Sequence, residues 1–128
     1  MLKDSHAFSG YSVDDMNKAK EFYGTTLGLK IEENAMGMLG LNFPNGQSIM
    51  IYPKPDHEPA AYTVLNFPVP DLEAAVDELT AKGVEFLHYD TEWIKTNQKG
   101  ICYPPTPEDG PIIAWFKDPA GNILSVLK

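Results

Sequence analysis

One pattern of helix signals and turns occurs twice in the chain, and such a repeat constrains the fold more than any single motif. Val13-Asp14-Asp15-Met16 opens one helical stretch, and Val69-Pro70-Asp71-Leu72 opens another. In each, an Asp stands where its carboxylate can cap the first unpaired amides. An apolar stripe follows at helical spacing, and a Gly closes the run. The first stripe is Met16, Ala19, Tyr23 and Leu27, with Phe22 beside it, ending at Gly28. The second is Leu72, Ala75, Val76 and Leu79, ending at Gly83. Short β-prone runs come next, over residues 29–31 and 84–87. A turn signal then recurs, Phe43-Pro44-Asn45-Gly46 and later Asp118-Pro119-Ala120-Gly121, each followed by an alternating strand.

Each copy therefore reads strand–helix–strand–strand–strand. The predicted strands are 7–13, 29–33, 36–42 and 48–52 in the first copy, and 62–67, 84–88, 112–117 and 123–127 in the second. The expected fold class is α+β, two tandem βαβββ modules within one domain spanning 1–128. Module 1 covers about 1–54, a Pro-rich hinge 53–60, and module 2 about 61–128. The second copy is the longer one, because a polar, Pro-rich loop over 89–110 is inserted in it. Neither half can bury a sheet face alone, so the two are expected to pair.

Composition narrows the function. The net charge is −8, and all ten basic residues are Lys. Phosphate neutralisation supplies most nucleic-acid affinity, and Arg is the usual bidentate clamp for phosphate and carboxylate. No nucleic-acid partner and no anionic membrane partner is expected; a neutral or cationic small molecule suits the field. Cys102 is the single cysteine, which excludes an intrachain disulfide and a thiolate zinc site. The longest unbroken apolar run, 112–116, is far too short to span a bilayer, and the first residues lack a secretory h-region. A reduced, cytoplasmic location is the expectation.

The ordered motifs resemble a known superfamily. Val13-x-Asp15 with Phe22-Tyr23 and Leu27-Gly28-Leu29 is similar to the opening of the vicinal oxygen chelate proteins: glyoxalase I, extradiol dioxygenases and bleomycin resistance proteins. Asp71-Leu72-x-Ala74-Ala75 with Lys82-Gly83-Val84 looks like the second-module opening, and Phe116-Lys117-Asp118-Pro119-Ala120-Gly121-Asn122 like the closing turn. The resemblance implies paired βαβββ modules whose sheets curl into a cup. In metal-dependent members, four cup-strand ligands (His, Gln or Glu) hold a divalent ion that acts as a Lewis acid. The four positions carried over from those members fall here on Phe8, Met50, Val64 and Ser125. None of these side chains replaces imidazole or carboxylate around Zn²⁺, Ni²⁺ or Fe²⁺. No metal, cofactor or catalytic residue is therefore assigned. His6, on the same strand face as Phe8, leaves open a displaced metal site; His57 and His88 lack the spacing of a preformed one.

Strand alternation puts Phe8 on a face with Gly10 and Ser12, Met50 with Ser48 and Tyr52, Val64 with Asn66, and Ser125 with Ile123 and Leu127. That is a mixed apolar and hydroxyl-bearing surface suited to a largely apolar ligand, unless the same side chains simply fill the cup. Met36 and Met38 are further wall candidates. Trp93 in the inserted loop closes over a pocket with Tyr103, packs at a dimer interface, or anchors its loop. Trp115 is either core or pocket wall. The expected ligand-binding set is thus Phe8, Met50, Tyr52, Val64, Asn66, Trp93, Tyr103, Trp115 and Ser125. The expected function is metal-free small-molecule binding of the bleomycin-resistance kind, drug sequestration included, in a homodimer with a cationic or aromatic ligand. The alternatives are a glyoxalase-type lyase or isomerase, or a dioxygenase-like enzyme, with a displaced metal, and a metal-independent enzyme or scaffold.

Overall fold

A computed structural model describes residues 1–128. The chain divides into two compact units, Met1–Glu58 and Pro59–Lys128. Unit one contains strands β1 (Ser9–Val13), β2 (Lys30–Glu33), β3 (Leu39–Asn42) and β4 (Ser48–Pro53). Unit two contains β5 (Thr63–Pro68), β6 (Ile101–Cys102), β7 (Ile113–Lys117) and β8 (Ile123–Leu127). The sheet orders are β1-β4-β3-β2 and β5-β8-β7-β6, so both copies share one α+β topology. In each, the first strand pairs in parallel with the last and the other pairs are antiparallel. A parallel pair of neighbours needs a crossover, and each unit's helix supplies part of it.

The helices start where the Asp signals place them. Asp15 caps α1 (Met16–Lys20) by accepting the Lys18 amide at 3.1 Å, and Asp71 caps α2 (Leu72–Ala81) by accepting the Ala74 amide at 3.1 Å. The first helix does not keep the 3.6-residue period expected of it. From Glu21 to Thr26 it widens into a π-helical segment, with the Leu27 amide bonded to the Phe22 carbonyl at 2.8 Å. Ala19 and Tyr23 remain buried, and the Tyr23 hydroxyl meets that of Tyr11 on β1 at 2.8 Å. The helix therefore covers the β1 face that carries Tyr11 and Val13. Leu39, Leu41 and Ile51 are buried on that same face by register. In unit two the buried Leu72 and Val76 of α2 accompany Ala114, Phe116, Leu124 and Val126. Each sheet thus has a helix-covered face and an open face.

Several strand boundaries differ from the sequence expectation. β1 begins at Ser9 rather than at 7, because the parallel ladder starts with Ser9 opposite Ile49 and the Asn45–Gly46 turn leaves nothing longer to pair with. β3 begins at Leu39 rather than at 36. The Asn34 side chain accepts the Met36 and Met38 amides at 2.9 and 3.0 Å, closing a turn there and leaving Met36 72% exposed. The expected strand 84–88 is not a strand. Phe86 makes only an isolated bridge to Phe116, and the Leu87 amide bonds the Trp115 carbonyl at 2.8 Å. The rest of that edge is supplied by Ile101 and Cys102, opposite Ala114 and Ile113.

The insertion therefore interrupts an edge strand: the chain leaves β7 after Leu87 and rejoins it at Ile101. Gly100 makes the return possible. Its φ is +84°, and a Cβ there would lie 2.8 Å from the Phe86 Cβ and 3.1 Å from the Leu87 carbonyl oxygen. β5 carries the remaining irregularity. Thr63 pairs with Ile123 and Leu65 with Leu124, so Val64 is the extra residue of a bulge. The alternation expected to link Val64 with Asn66 is broken there, and Thr63 is the residue that shares phase with Asn66.

Candidate functional site

The open face of unit two holds the most organised group of candidate residues. Asn66, Ser125 and Trp115 are lateral neighbours on three adjacent strands, through the pairs Asn66–Ser125 and Trp115–Ser125. Side chains paired across a ladder project to the same face. Ser125 is fully buried, and its hydroxyl donates to the Asn66 side-chain oxygen at 2.5 Å. Asn66 itself is exposed. Trp115 is half-buried and meets the Tyr89 ring nearly perpendicularly, with centroids 5.5 Å apart and an interplanar angle of 87°. Tyr89 belongs to the inserted loop and was not among the expected site residues. Its position follows from the Leu87–Trp115 backbone bond, which the predicted strand ending at 88 already hints at. Two bonds to Thr96 then fix the loop's start: the Tyr89 amide donates to Oγ1 at 2.9 Å, and the Thr96 amide to the Tyr89 carbonyl at 2.9 Å.

The open face of unit one is looser. By register, Gly10 stands opposite Met50 and Ser12 opposite Tyr52, with Met50 half-buried and Tyr52 37% exposed. Gly10 allows that approach, since a Cβ would lie 2.9 Å from the Met50 carbonyl oxygen. Phe8 precedes the strand and is 67% exposed. It lines an open cleft of about 540 Å³ with His6, Gln47 and Ser48.

A pairing that spacing did not reveal lies at the other end of this face. The Ser12 hydroxyl and the His57 Nδ1 are 2.6 Å apart. The parallel β1–β4 pair sets Ser12 beside the end of β4, and a turn after Pro53 brings the chain back. The Lys54 amide bonds the Val13 carbonyl at 2.9 Å and the His57 amide the Lys54 carbonyl at 3.0 Å. Lys54 Nζ also holds Asp56 at 2.7 Å; that bond raises the Lys54 pKa and lowers that of Asp56. The only advance signal is Pro53-Lys54-Pro55-Asp56, a turn composition with no indication of its target.

Two loop residues stand apart from these groups. Trp93 is 87% exposed, in a turn where Thr91 Oγ1 accepts the Trp93 and Ile94 amides at 3.2 and 2.9 Å. The indole therefore neither closes over a pocket within this chain nor anchors its own loop. A Thr side chain does the anchoring, and the rigid turn projects the ring outward. Tyr103 follows β6 and is 51% exposed.

The residues do not fit a metal of the kind held by vicinal oxygen chelate enzymes. Phe8, Met50, Val64 and Ser125 offer no imidazole and no carboxylate, and no three His, Cys, Asp or Glu side chains stand together as a ligand set. His6 lies in the cleft beside Phe8 without acidic or imidazole company among the cleft residues.

Comparison with known proteins places this architecture. No curated protein matches the chain. Among solved structures, an integron cassette protein from the mobile metagenome of V. cholerae is 24% identical. The match covers 99% of this chain and 97% of that one, with a TM-score of 0.64. TnmS3, an antibiotic binding protein from Streptomyces sp. CB03234, is 22% identical over 97% of this chain and 96% of its own, with a TM-score of 0.61. A glyoxalase/bleomycin resistance protein from the same Streptomyces is 22% identical, covering 95% of this chain and all 100% of that one, with a TM-score of 0.58. At such identities the structures share a fold. The family itself is shown by sequence: residues 5–126 match its model, and the chain belongs to the Glyoxalase/Bleomycin resistance protein/Dioxygenase superfamily.

Proposed function

We propose that this protein binds a flat, largely apolar small molecule without the superfamily's usual metal, and that it sequesters that molecule rather than transforming it. The observation that carries the reading is the exchange of chemistry at the four ligand positions. At the positions where the family resemblance implies imidazole and carboxylate ligands in metal-dependent members, this chain has Phe8, Met50, Val64 and a buried Ser125. An aromatic wall, Trp115 backed by Tyr89, stands directly beside Ser125. Apolar walls with a few oriented polar groups are what small-molecule sites are made of. The −8 charge favours a neutral or cationic aromatic ligand, and an indole ring adds cation–π attraction to the second kind. The fold is shared with an antibiotic binding protein, which supports drug sequestration as one form of the activity.

A homodimer completes the proposal. Trp93 at 87% exposure and Phe8 at 67% are large apolar side chains that a second copy would cover. Native mass spectrometry of untagged protein tests both halves. A dimer of unmodified mass that takes up a planar aromatic cation such as acriflavine is the expected result. One metal ion per chain, with activity lost on chelation, would overturn it in favour of an enzyme with a displaced site.

A second reading, a metal-independent enzyme, has its own observation: the Ser12–His57 contact at 2.6 Å is a hydroxyl–imidazole geometry used for nucleophile activation. It requires that p-nitrophenyl acetate acylate Ser12, giving an acetylated intact mass that Ser12→Ala abolishes.

A further inference from the structure

The open face of unit two contains one polar side chain whose orientation is set by a buried neighbour. A carboxamide carries an acceptor oxygen on one arm and two N–H donors on the other. The Asn66 oxygen is engaged by the buried Ser125 hydroxyl at 2.5 Å, and Ser125, wholly shielded from water, has its hydroxyl committed to Asn66. That bond turns the amide so that its NH₂ arm points away from Ser125. Asn66 is exposed, and its nitrogen makes no hydrogen bond within the chain. On the other side of Ser125 stands Trp115, whose ring is braced by Tyr89. The face thus presents two neutral, oriented donors next to an aromatic surface.

Resting on the small-molecule reading above, we propose that the ligand class is a flat aromatic molecule bearing a neutral acceptor oxygen, such as an aryl ketone, lactam or ester carbonyl. The ring lies against Trp115 and the oxygen accepts from the Asn66 NH₂. Ser125 is a positioning residue that holds the amide in its donor-outward orientation. Carboxylates and phosphates fit less well. An amide offers no charge and the chain has no Arg; the one cation of the same phase on β7, Lys117, is an exposed Lys one same-face position from Trp115, a point charge without Arg's bidentate fork. A site that supplies donors favours ligands with an acceptor over analogues lacking it by about the worth of the hydrogen bond gained.

A matched pair of probes reads this directly. 9-Fluorenone and fluorene share ring size and shape, and only the first carries a carbonyl. Equilibrium dialysis of the full chain against each should show fluorenone bound about five-fold more tightly, the worth of one neutral hydrogen bond of about 1 kcal/mol. Asn66→Asp keeps the shape at an exposed position but replaces the donors with carboxylate oxygens. It should erase or reverse the preference for fluorenone over fluorene. Ser125→Ala should narrow the fluorenone preference, with circular dichroism confirming that the variant is folded. Equal binding of the two probes to the native chain, or a preference that survives Asn66→Asp, overturns the donor assignment and leaves the binding function standing. Failure of both probes to bind overturns both.

Discussion

The Asp118 turn offers a sharp test of how burial sets the energy of a repeated motif. Asp118 is 4% exposed, and its carboxylate accepts the Ala120 and Asn122 amides on Oδ1 and the Asn122 side-chain nitrogen on Oδ2, each at 2.9 Å. Two backbone bonds, Asp118 amide to Asn122 carbonyl at 2.9 Å and Gly121 amide to Asp118 carbonyl at 3.0 Å, close the turn between β7 and β8. Asp118→Ala removes these side-chain bonds and strands buried donors. Bonds to a charged acceptor are worth roughly 1.5–3 kcal/mol each, and because they share one side chain their sum is not additive, so the loss is about 3–5 kcal/mol. Asp118→Asn keeps the two Oδ1 bonds and opposes two NH₂ groups, for a loss of about 1–2 kcal/mol. In the exposed turn of unit one Phe43 stands at the position matching Asp118, and the side-chain acceptor is Asn45, which takes only the Gln47 amide at 3.0 Å, so Asn45→Ala should cost no more than about 1 kcal/mol. Urea unfolding followed by circular dichroism gives the ranking. At a slope of about 2 kcal/mol per molar, Asp118→Ala moves the midpoint down by roughly 2 M. Equal losses at Asp118 and Asn45, or a loss under about 1 kcal/mol at Asp118, would refute the argument that a buried, multiply bonded carboxylate holds the second turn.

Other expectations follow from equally specific contacts. Gly100→Ala forces a side chain into a left-handed conformation and against Phe86, so thermal unfolding should show a loss of about 2–4 kcal/mol, well beyond the effect of a surface glycine. Asp15→Ala and Asp71→Ala each remove a helix cap and should lower stability by about 1 kcal/mol, by nearly equal amounts in chemical unfolding. The Asp56 carboxyl is held below its ordinary 3.8, first by the Lys54 hydrogen bond. Lys54→Met should therefore raise its pKa in an NMR titration. A depressed carboxyl stabilises the fold above its unfolded pKa and loses that contribution as pH falls through the folded value. Acid unfolding of the variant should consequently depend less on pH in that window, by a small amount for so exposed a pair.

The duplication was legible because its signals are local. An Asp caps the amides two or three residues ahead, a Gly closes a turn, and alternation is a property of adjacent residues; these signals placed both helices and most strands. The edge of the second sheet was not legible. Whether residues 84–88 or Ile101–Cys102 pair with β7 depends on where a long excursion returns, and the only sequence trace is Gly100, whose need for glycine appears only against Phe86. The β5 bulge is another such case: the pairing of Thr63 with Ile123 and Leu65 with Leu124 shifts Val64 out of the phase that alternation assigns to it.

The same division runs through the candidate site. The chain's own letters put Phe8, Met50, Val64 and Ser125 at the positions where the family resemblance implies metal ligands, because residue type alone decides whether an imidazole or carboxylate can be present. They also determined the acidic, Arg-free character that sets the field for any ligand. Tertiary structure alone decided which side chains meet. Asn66 reaches Ser125, Tyr89 reaches Trp115 and Ser12 reaches His57 through strand register and a returning turn. Tertiary structure also left Trp93 exposed, although its size and apolarity argue for burial: the turn that carries it is closed by the Thr91 hydroxyl, which accepts the Trp93 and Ile94 amides, so the indole is not needed to hold the loop. Local signals fix the elements; the registers between strands fix the contacts, and a site is made of contacts.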